Sequence, residues 1–285
     1  MPEKARFGPA GNCEAFYSDG KKATIQAPGW LEKIGLNAYE YQCGRGVTVG
    51  TATAQALGEK AREHNIYISL HAPYYISLAS ADPEKRGNSV GYILQSARAV
   101  TAMGGERIIV HPGGLGGLPR SEAAELAAQT LKKARDALDN EGFVNIVICP
   151  EVMGKINQLG DLDEIIFFCG LDERMIPCID FGHLYTRTLG EINSREAYTA
   201  VLDKIEDKLG TQRARSMHIH FSKIQYTASG EKKHLKFENS EFGPEPEPLM
   251  TLLAQRGYTP VVICESDGTQ AEDALVMKGL FEKNI

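Results

Sequence analysis

The segment RIIVHPGGLGGLPRSEAAELAAQTLKKARDALDNEGFVNIVICPE, residues 107–151, holds two short apolar runs on either side of a long amphipathic one. The flanking runs are continuous in Ile and Val rather than alternating, which is typical of strands that are covered by helices. The middle run is rich in Ala, Leu, Glu, Lys and Arg, residues with high helix propensity. The segment therefore predicts a strand, a helix and a second, parallel strand.

The same alternation continues from one end of the chain to the other. The candidate strands lie near residues 5–8 and at 37–42, 66–70, 107–111, 145–151, 175–180, 216–221 and 260–266. Helical stretches lie between them, for example at 51–64, 91–105 and 121–138. Eight such units predict a single (β/α)8 TIM barrel domain over residues 1–285, with an open doubly wound sheet as the alternative. The longest irregular segment, 223–248, is expected to be a functional loop.

The composition is that of an ordinary globular enzyme. With 42% hydrophobic and 24% charged residues, the chain is neither a disordered nor a fibrous protein. No run approaches the roughly 18 apolar residues of a membrane span, and the N-terminus lacks the apolar core of a signal peptide, so we expect a cytoplasmic protein. The six cysteines show no CxxC spacing and are expected to be reduced core thiols. Since the formal net charge is −6, contact with nucleic acid would need a local basic patch or bound cations.

Residues able to bind metal occur at, or just after, the C-terminal ends of the predicted strands. They are His71, His111, Glu151, Asp180, His183, His218 and Glu265, with His234 in the loop after the seventh strand. In a TIM barrel these positions converge on the face that carries the active site. Imidazole and carboxylate are the ligands that zinc accepts where thiolates are absent. One such residue alone is more often structural, but eight on one face predict a metal centre.

This ligand set favours phosphodiester hydrolysis. One carboxylate can bridge two ions, and divalent ions about 3.5 to 4 Å apart activate water and stabilise the attacking and leaving oxygens of an in-line displacement. Two other histidines are expected outside the ligand set. His64 precedes a strand and should be solvated on the opposite face, and His220 should lie behind the ligands or in the core.

Five segments carry a family resemblance: LHAPYYISLAS (70–80), IIVHPGG (108–114), CPEVMGKINQLG (149–160), CIDFGH (178–183) and MHIHFSK (217–223). In this order they resemble the endonuclease IV family of xylose-isomerase-like barrels, and the resemblance spans about residues 66 to 270. It implies a (β/α)8 barrel with a trinuclear zinc site that cleaves damaged double-stranded DNA 5′ to abasic sites, as in base excision repair. Mn²⁺ or Fe²⁺ could fit the same ligands.

The resemblance also implies roles for individual residues. A first zinc would be held by His71, His111 and the bridging Glu151, a second by Glu151, Asp180, His218 and Glu265, and a third by His183 and His234. Glu151 would also orient or deprotonate the attacking water. Tyr74 matches a position that packs into the damaged duplex, where an exposed aromatic ring can fill the space of a missing base.

Three departures from the family pattern limit these expectations. Lys232 stands near the position of a family Asp, and the nearest acid is Glu231, so the third zinc is expected to be weak or absent. Phe181 and Gly182 replace two other residues between Asp180 and His183. The loop QCGRGVTVG (42–50) lacks the usual DNA-inserting residues, although Arg45 could still contact a phosphate.

Two other functions remain open from the sequence. Glu151, Asp180, His218 and Glu265 alone also resemble the single-metal quartet of the sugar isomerases and epimerases of this superfamily. That function would leave His71, His111 and His234 without a metal to bind. A third alternative is a barrel that binds damaged DNA or a phosphorylated ligand without turnover.

Overall fold

Eight parallel strands form the wall of a closed barrel. The computed structural model describes residues 4–285, and over this range the strands are β1 (Arg6–Pro9), β2 (Ala38–Gln42), β3 (Tyr67–His71), β4 (Arg107–Val110), β5 (Val147–Pro150), β6 (Cys178–Asp180), β7 (His218–Phe221), β8 (Lys223–Thr227), β9 (Gly230–Leu235) and β10 (Val261–Cys264). Eight of these ten strands form the wall, as two parallel sheets in the orders β1-β10-β7-β6 and β2-β3-β4-β5. The other two, β8 and β9, form a separate two-stranded sheet. Parallel bridges between Ala10 and Glu40 and between Glu151 and Cys178 join the sheets at both seams. The predicted (β/α)8 barrel is confirmed.

Helices surround this wall. They are α1 (Glu14–Ser18), α2 (Ala27–Ile34), α3 (Thr51–Glu63), α4 (Pro83–Ala102), α5 (Arg120–Asn140), α6 (Leu162–Cys169), α7 (Phe181–Arg187), α8 (Arg195–Leu209), α9 (Thr211–Arg215), α10 (Pro246–Gln255) and α11 (Gln270–Glu282). In α5 the buried residues Ala123, Ala127, Leu131, Ala134 and Leu138 recur every three or four positions, so one apolar face packs on the core.

The helix α4 begins earlier than the sequence indicated. We expected helix from about residue 91, but the first turn starts at Pro83. The Asp82 side chain accepts a hydrogen bond from the Glu84 backbone nitrogen at 2.9 Å, and proline suits the first helical position because its ring fixes φ. Because the first residues of α4 are polar, they show no apolar periodicity from which a helix could be predicted.

Most of the buried apolar side chains form one cluster. One cluster of buried side chains extends from Phe7 in β1 to Phe281 in α11, and every residue of β4 and β10 is buried. All six cysteines are buried and free, as expected for core thiols. Among residues 4–285, no helix is both long and apolar enough to cross a bilayer.

The segment 223–248 contains structure that the sequence did not reveal. We expected an irregular loop, but β8 and β9 pair as an antiparallel hairpin with a register shift between Gln225 and Tyr226. Strand β9 reads GEKKHL, whose polar residues give no apolar alternation. The hairpin approaches α7 so closely that a Cβ on Gly182 would lie 2.7 Å from the Ser222 carbonyl oxygen. Gly182, one of the departures from the family pattern, therefore permits this contact.

Candidate metal centre

The C-terminal ends of the strands open into a cavity of about 860 Å³. Six of the eight predicted metal-binding residues line this cavity: His71, His111, Glu151, His183, His234 and Glu265. The predicted DNA contacts Tyr74 and Arg45 lie on its wall, together with Lys155. The convergence expected from the strand ends is therefore present in the structure.

A first cluster of possible metal ligands comes from β3 and from the residues that follow β4 and β5. The Nε2 atoms of His71 and His111 each lie 3.1 Å from the same oxygen, Glu151 Oε2. His71 Nδ1 is 2.9 Å from the carbonyl oxygen of Ala72, which can only accept, so Nδ1 carries a proton. Nε2 faces a carboxylate oxygen, an arrangement that a proton or a metal ion between the two atoms would satisfy.

A second cluster faces the other oxygen of Glu151. Its members are Glu151, Asp180, His220 and Glu265. His220 Nδ1 lies 3.1 Å from Glu151 Oε1 and 3.5 Å from Glu265 Oε1. Asp180 Oδ2 is buried and has no hydrogen-bond partner among residues 4–285. Because the two oxygens of Glu151 face different clusters, this carboxylate is placed to bridge two ions.

His218 does not lie where the sequence prediction put it. The structure brings His220, not His218, to Asp180 and Glu265, while His218 lies deeper in the barrel with Nε2 3.0 Å from Glu40 Oε2. Two residues apart on one strand, both histidines point inward at different levels. The strand register decides between them, since Asp180 pairs with His220 and Cys178 with His218.

A third cluster joins α7 to the hairpin. His183 Nε2 lies 3.5 Å from Glu231 Oε2, and His234 Nε2 lies 3.9 Å from Glu231 Oε1. Lys232 is exposed. Because Lys232 stands two residues before His234, we expected a weak or absent third zinc, but the nearest acid, Glu231, directs its carboxylate towards both histidines. His183 Nδ1 donates to the Val152 carbonyl oxygen at 2.8 Å, so its Nε2 is free to bind a cation.

The pKa values of Glu151 and His183 are shifted because carboxylates and imidazoles lie close together in the centre. Burial raises the pKa of Glu151, but the neighbouring His220 and His111 outweigh burial and hold this pKa well below its usual value. Burial lowers the pKa of His183, yet the carboxylates of Asp180, Glu231 and Glu151 raise it to about 9. These carboxylates therefore attract positive charge, which protons supply where no metal is bound and which a divalent cation can replace.

The wall of the cavity carries the aromatic ring of Tyr74 and the basic side chain of Arg45. Tyr74 is 57% exposed, and its ring stacks on His111 with centroids 5.3 Å apart. A Cβ on Gly44 would lie 2.4 Å from the Tyr74 ring, so the loop after β2 needs glycine there to cover one side of Tyr74.

His64 lies outside the cavity, at the end of α3, with Nδ1 2.7 Å from Glu32.

The sequence agrees with one family over most of its length. The model of the xylose isomerase-like TIM barrels matches residues 28–280. The chain belongs to this family. An uncharacterized protein of Methanocaldococcus jannaschii is 32% identical over 248 residues, which cover 87% of this chain and 88% of the relative. A probable endonuclease 4 of Acholeplasma laidlawii is 29% identical over 182 residues, which cover 62% of this chain and 58% of the relative.

Solved structures with a similar fold include an endonuclease and epimerases. The endonuclease IV of Thermus thermophilus aligns with a TM-score of 0.67 at 19% identity, over 98% of this chain and 99% of that one. A D-tagatose 3-epimerase-like protein aligns with a TM-score of 0.70, also at 19% identity, over 98% and 96%. At such identities the likeness establishes the barrel fold alone, so the activity must be argued from the site.

Proposed function

We propose that the protein is a metal-dependent phosphodiesterase that hydrolyses DNA 5′ to abasic sites with two or three bound zinc ions. The observation that carries this proposal is the pair His71 and His111, which face one oxygen of Glu151 while the other oxygen faces His220. A second metal next to the first would explain this arrangement, and paired ions suit displacement at phosphorus.

The donor atoms fit such ions. Two atoms that bind one tetrahedral zinc ion with bonds of about 2.0 to 2.1 Å lie about 3.3 Å apart. The separations in the first and second clusters, 3.1 to 3.5 Å, are close to this spacing. A cation would also serve the buried Asp180 Oδ2, which makes no hydrogen bond among residues 4–285, and the His71 Nε2 atom that faces Glu151. Bound divalent ions would supply an activated water and stabilise negative charge on a phosphate.

The chain's own residues divide the remaining work. Glu151 lies between the first two clusters, where it can hold both ions and orient the attacking water. Arg45 and Lys155, on the cavity wall, can contact phosphates of a DNA backbone. Tyr74 is exposed beside His111 and can stack where a base is missing from a duplex. Because the formal net charge is −6, attraction to DNA would come from the cations and from these two basic residues.

A second candidate function is sugar epimerisation with a single metal. Glu151, Asp180, His220 and Glu265 form a complete four-residue set without the other clusters. An epimerase needs two groups that move a proton next to a carbonyl, and Glu151 and Glu265 could serve. This candidate ranks second because it leaves the arrangement of His71 and His111 around Glu151 Oε2 without a purpose.

The test is cleavage of a duplex oligonucleotide that carries one stable abasic analogue. We expect a nick 5′ to the lesion that leaves a 3′ hydroxyl, and we expect its loss on zinc chelation or in Glu151→Gln. Glu125→Gln, on the exposed side of α5, is the matched control and should cleave normally. No cleavage by folded, zinc-loaded protein, together with turnover of a ketose, would replace the nuclease by the epimerase.

A further inference from the structure

A buried carboxylate lies beneath the metal centre and belongs to none of its clusters. Glu40, in the middle of β2, is fully buried, and its Oε2 accepts hydrogen bonds from Ser69 Oγ at 2.8 Å and His218 Nε2 at 3.0 Å. Its Oε1 accepts one from Gln42 Nε2 at 3.2 Å and lies 3.0 Å from His220 Nε2. Glu40 thus connects β2 with two histidines of β7 across the barrel interior.

His220 is held from both sides of its ring. Nδ1 faces the carboxylates of Glu151 and Glu265, whereas Nε2 faces Glu40. An imidazole that offers the Nδ1 lone pair to a cation must keep its proton on Nε2, and a carboxylate next to Nε2 favours that tautomer and that ring orientation. Over residues 4–285, Nε2 makes no hydrogen bond of good geometry, and the Glu40 carboxylate, with Oε1 at 3.0 Å, is the charged acceptor beside it.

Three other histidines of the centre show the same two-sided arrangement. His71 and His183 each place Nδ1 against a backbone carbonyl oxygen close to the centre, and His234 places Nδ1 2.8 Å from the Ser222 hydroxyl. These hydrogen-bond partners are neutral, although His183 Nδ1 also lies 3.2 Å from Asp180 Oδ2, a carboxylate of the second cluster. Glu40 differs from these groups because it is a carboxylate that belongs to no cluster, and a carboxylate beside the second ring nitrogen raises the basicity of a ligating imidazole.

A purely structural role for Glu40 is the competing explanation. A buried carboxylate is costly unless it is paired, and an apolar residue of similar volume often serves stability as well or better. Hydrogen bonds from His218 and Gln42 would account for both oxygens of Glu40, but not for the 3.0 Å approach of Oε1 to His220 Nε2. The two explanations differ in what the removal of Glu40 should change: folding stability alone, or metal affinity as well.

We propose that Glu40 is a positioning residue that keeps the Nε2 proton of His220 in place and directs Nδ1 at the cluster of Glu151, Asp180 and Glu265, and thereby strengthens metal binding there. The proposal rests on the proposed function only in requiring that this cluster binds a divalent cation. The nuclease and the epimerase share that requirement, so the test below uses no DNA and no sugar.

The test measures zinc affinity by competition with a chelator in Glu40→Gln, with Ser69→Ala as the matched control. Glu40→Gln is expected to weaken one class of zinc site about 10- to 100-fold and to leave the other sites as they are. Ser69→Ala removes one hydrogen bond to Glu40 but keeps the carboxylate, and its affinities should stay within about threefold of the unmodified protein. An equal loss in both variants, or no loss in folded Glu40→Gln, would overturn the proposal.

Two further variants separate positioning from general disturbance of the core. In a His220→Ala background, Glu40→Gln should cause no additional loss of zinc affinity, because the interaction that it removes is already gone. An additional loss of the same size would show that Glu40 acts elsewhere. If Glu40→Gln does not fold, Glu40→Asp keeps the charge but withdraws it by one methylene, and it should give an intermediate loss of affinity. Unchanged affinity in Glu40→Asp would contradict the proposal.

Discussion

Replacement of Glu231 by alanine should remove one zinc ion from the protein. Glu231 oxygens lie 3.5 Å from His183 Nε2 and 3.9 Å from His234 Nε2, within about 0.6 Å of the spacing of ligands on one tetrahedral zinc. Alanine leaves two imidazoles without a carboxylate. Since loss of even an outer hydrogen-bond partner weakens metal binding 10- to 100-fold, we expect at least about 100-fold here, or about 2.8 kcal/mol.

The assay is elemental analysis after equilibration in a zinc buffer. The free zinc concentration is set between the dissociation constants expected for the third cluster in the unmodified protein and in Glu231→Ala. The unmodified protein should hold three ions and Glu231→Ala two. Lys232→Ala and Lys232→Asp should match the unmodified protein, because the exposed Lys232 takes no part in the third cluster. A gain of zinc in Lys232→Asp, or equal zinc content in Glu231→Ala and the unmodified protein, would refute the assignment of Glu231 to this cluster.

Three further predictions follow from other contacts. Gly182→Ala places a Cβ 2.7 Å from the Ser222 carbonyl oxygen and should destabilise the protein by about 1 to 3 kcal/mol in urea unfolding. Tyr74→Ala should weaken binding of an abasic duplex by about tenfold in equilibrium titrations, with less effect on an intact duplex, because stacking on one base is worth about 1 to 3 kcal/mol. Hydrogen bonds from Arg174 lower the pKa values of Asp139 and Asp172 in the folded protein. These hydrogen bonds therefore stabilise the fold above the unfolded-state pKa of about 3.9, and the stabilisation is lost as the pH falls through the pKa values of the folded protein. Arg174→Ala should therefore lower the melting temperature at pH 7 and lose this difference towards pH 3; a constant difference across this range would contradict the linkage.

The barrel could be predicted because continuous runs of Ile and Val leave few alternatives. Every residue of β4 and all residues of β5 except Val147 are buried, and the long helical stretch between these two strands favours a parallel connection. The hairpin could not be predicted, because β9 reads GEKKHL and shows no apolar alternation.

The candidate site was predictable to the level of the strand but not of the residue. His71, His111 and Glu151 occur singly at strand ends, and the structure brings them together as expected. His218 and His220 share one strand and one inward face, so choosing between them needs the register with β6, which the sequence does not contain. Glu40 sits mid-strand in a segment that reads as an ordinary core strand, and nothing in its sequence neighbourhood marks it.

The arrangement of the clusters around the barrel follows the order of the strands. The first cluster uses the ends of β3, β4 and β5, and the second uses the ends of β5, β6, β7 and β10. Glu151, at the end of β5, belongs to both because β5 lies at the seam between the two sheets. The second cluster alone is sufficient for single-metal chemistry, so a second ion beside it requires only histidines at the ends of the two preceding strands. In this chain those residues are His71 and His111, and their presence is the physical reason to favour phosphodiester hydrolysis over epimerisation.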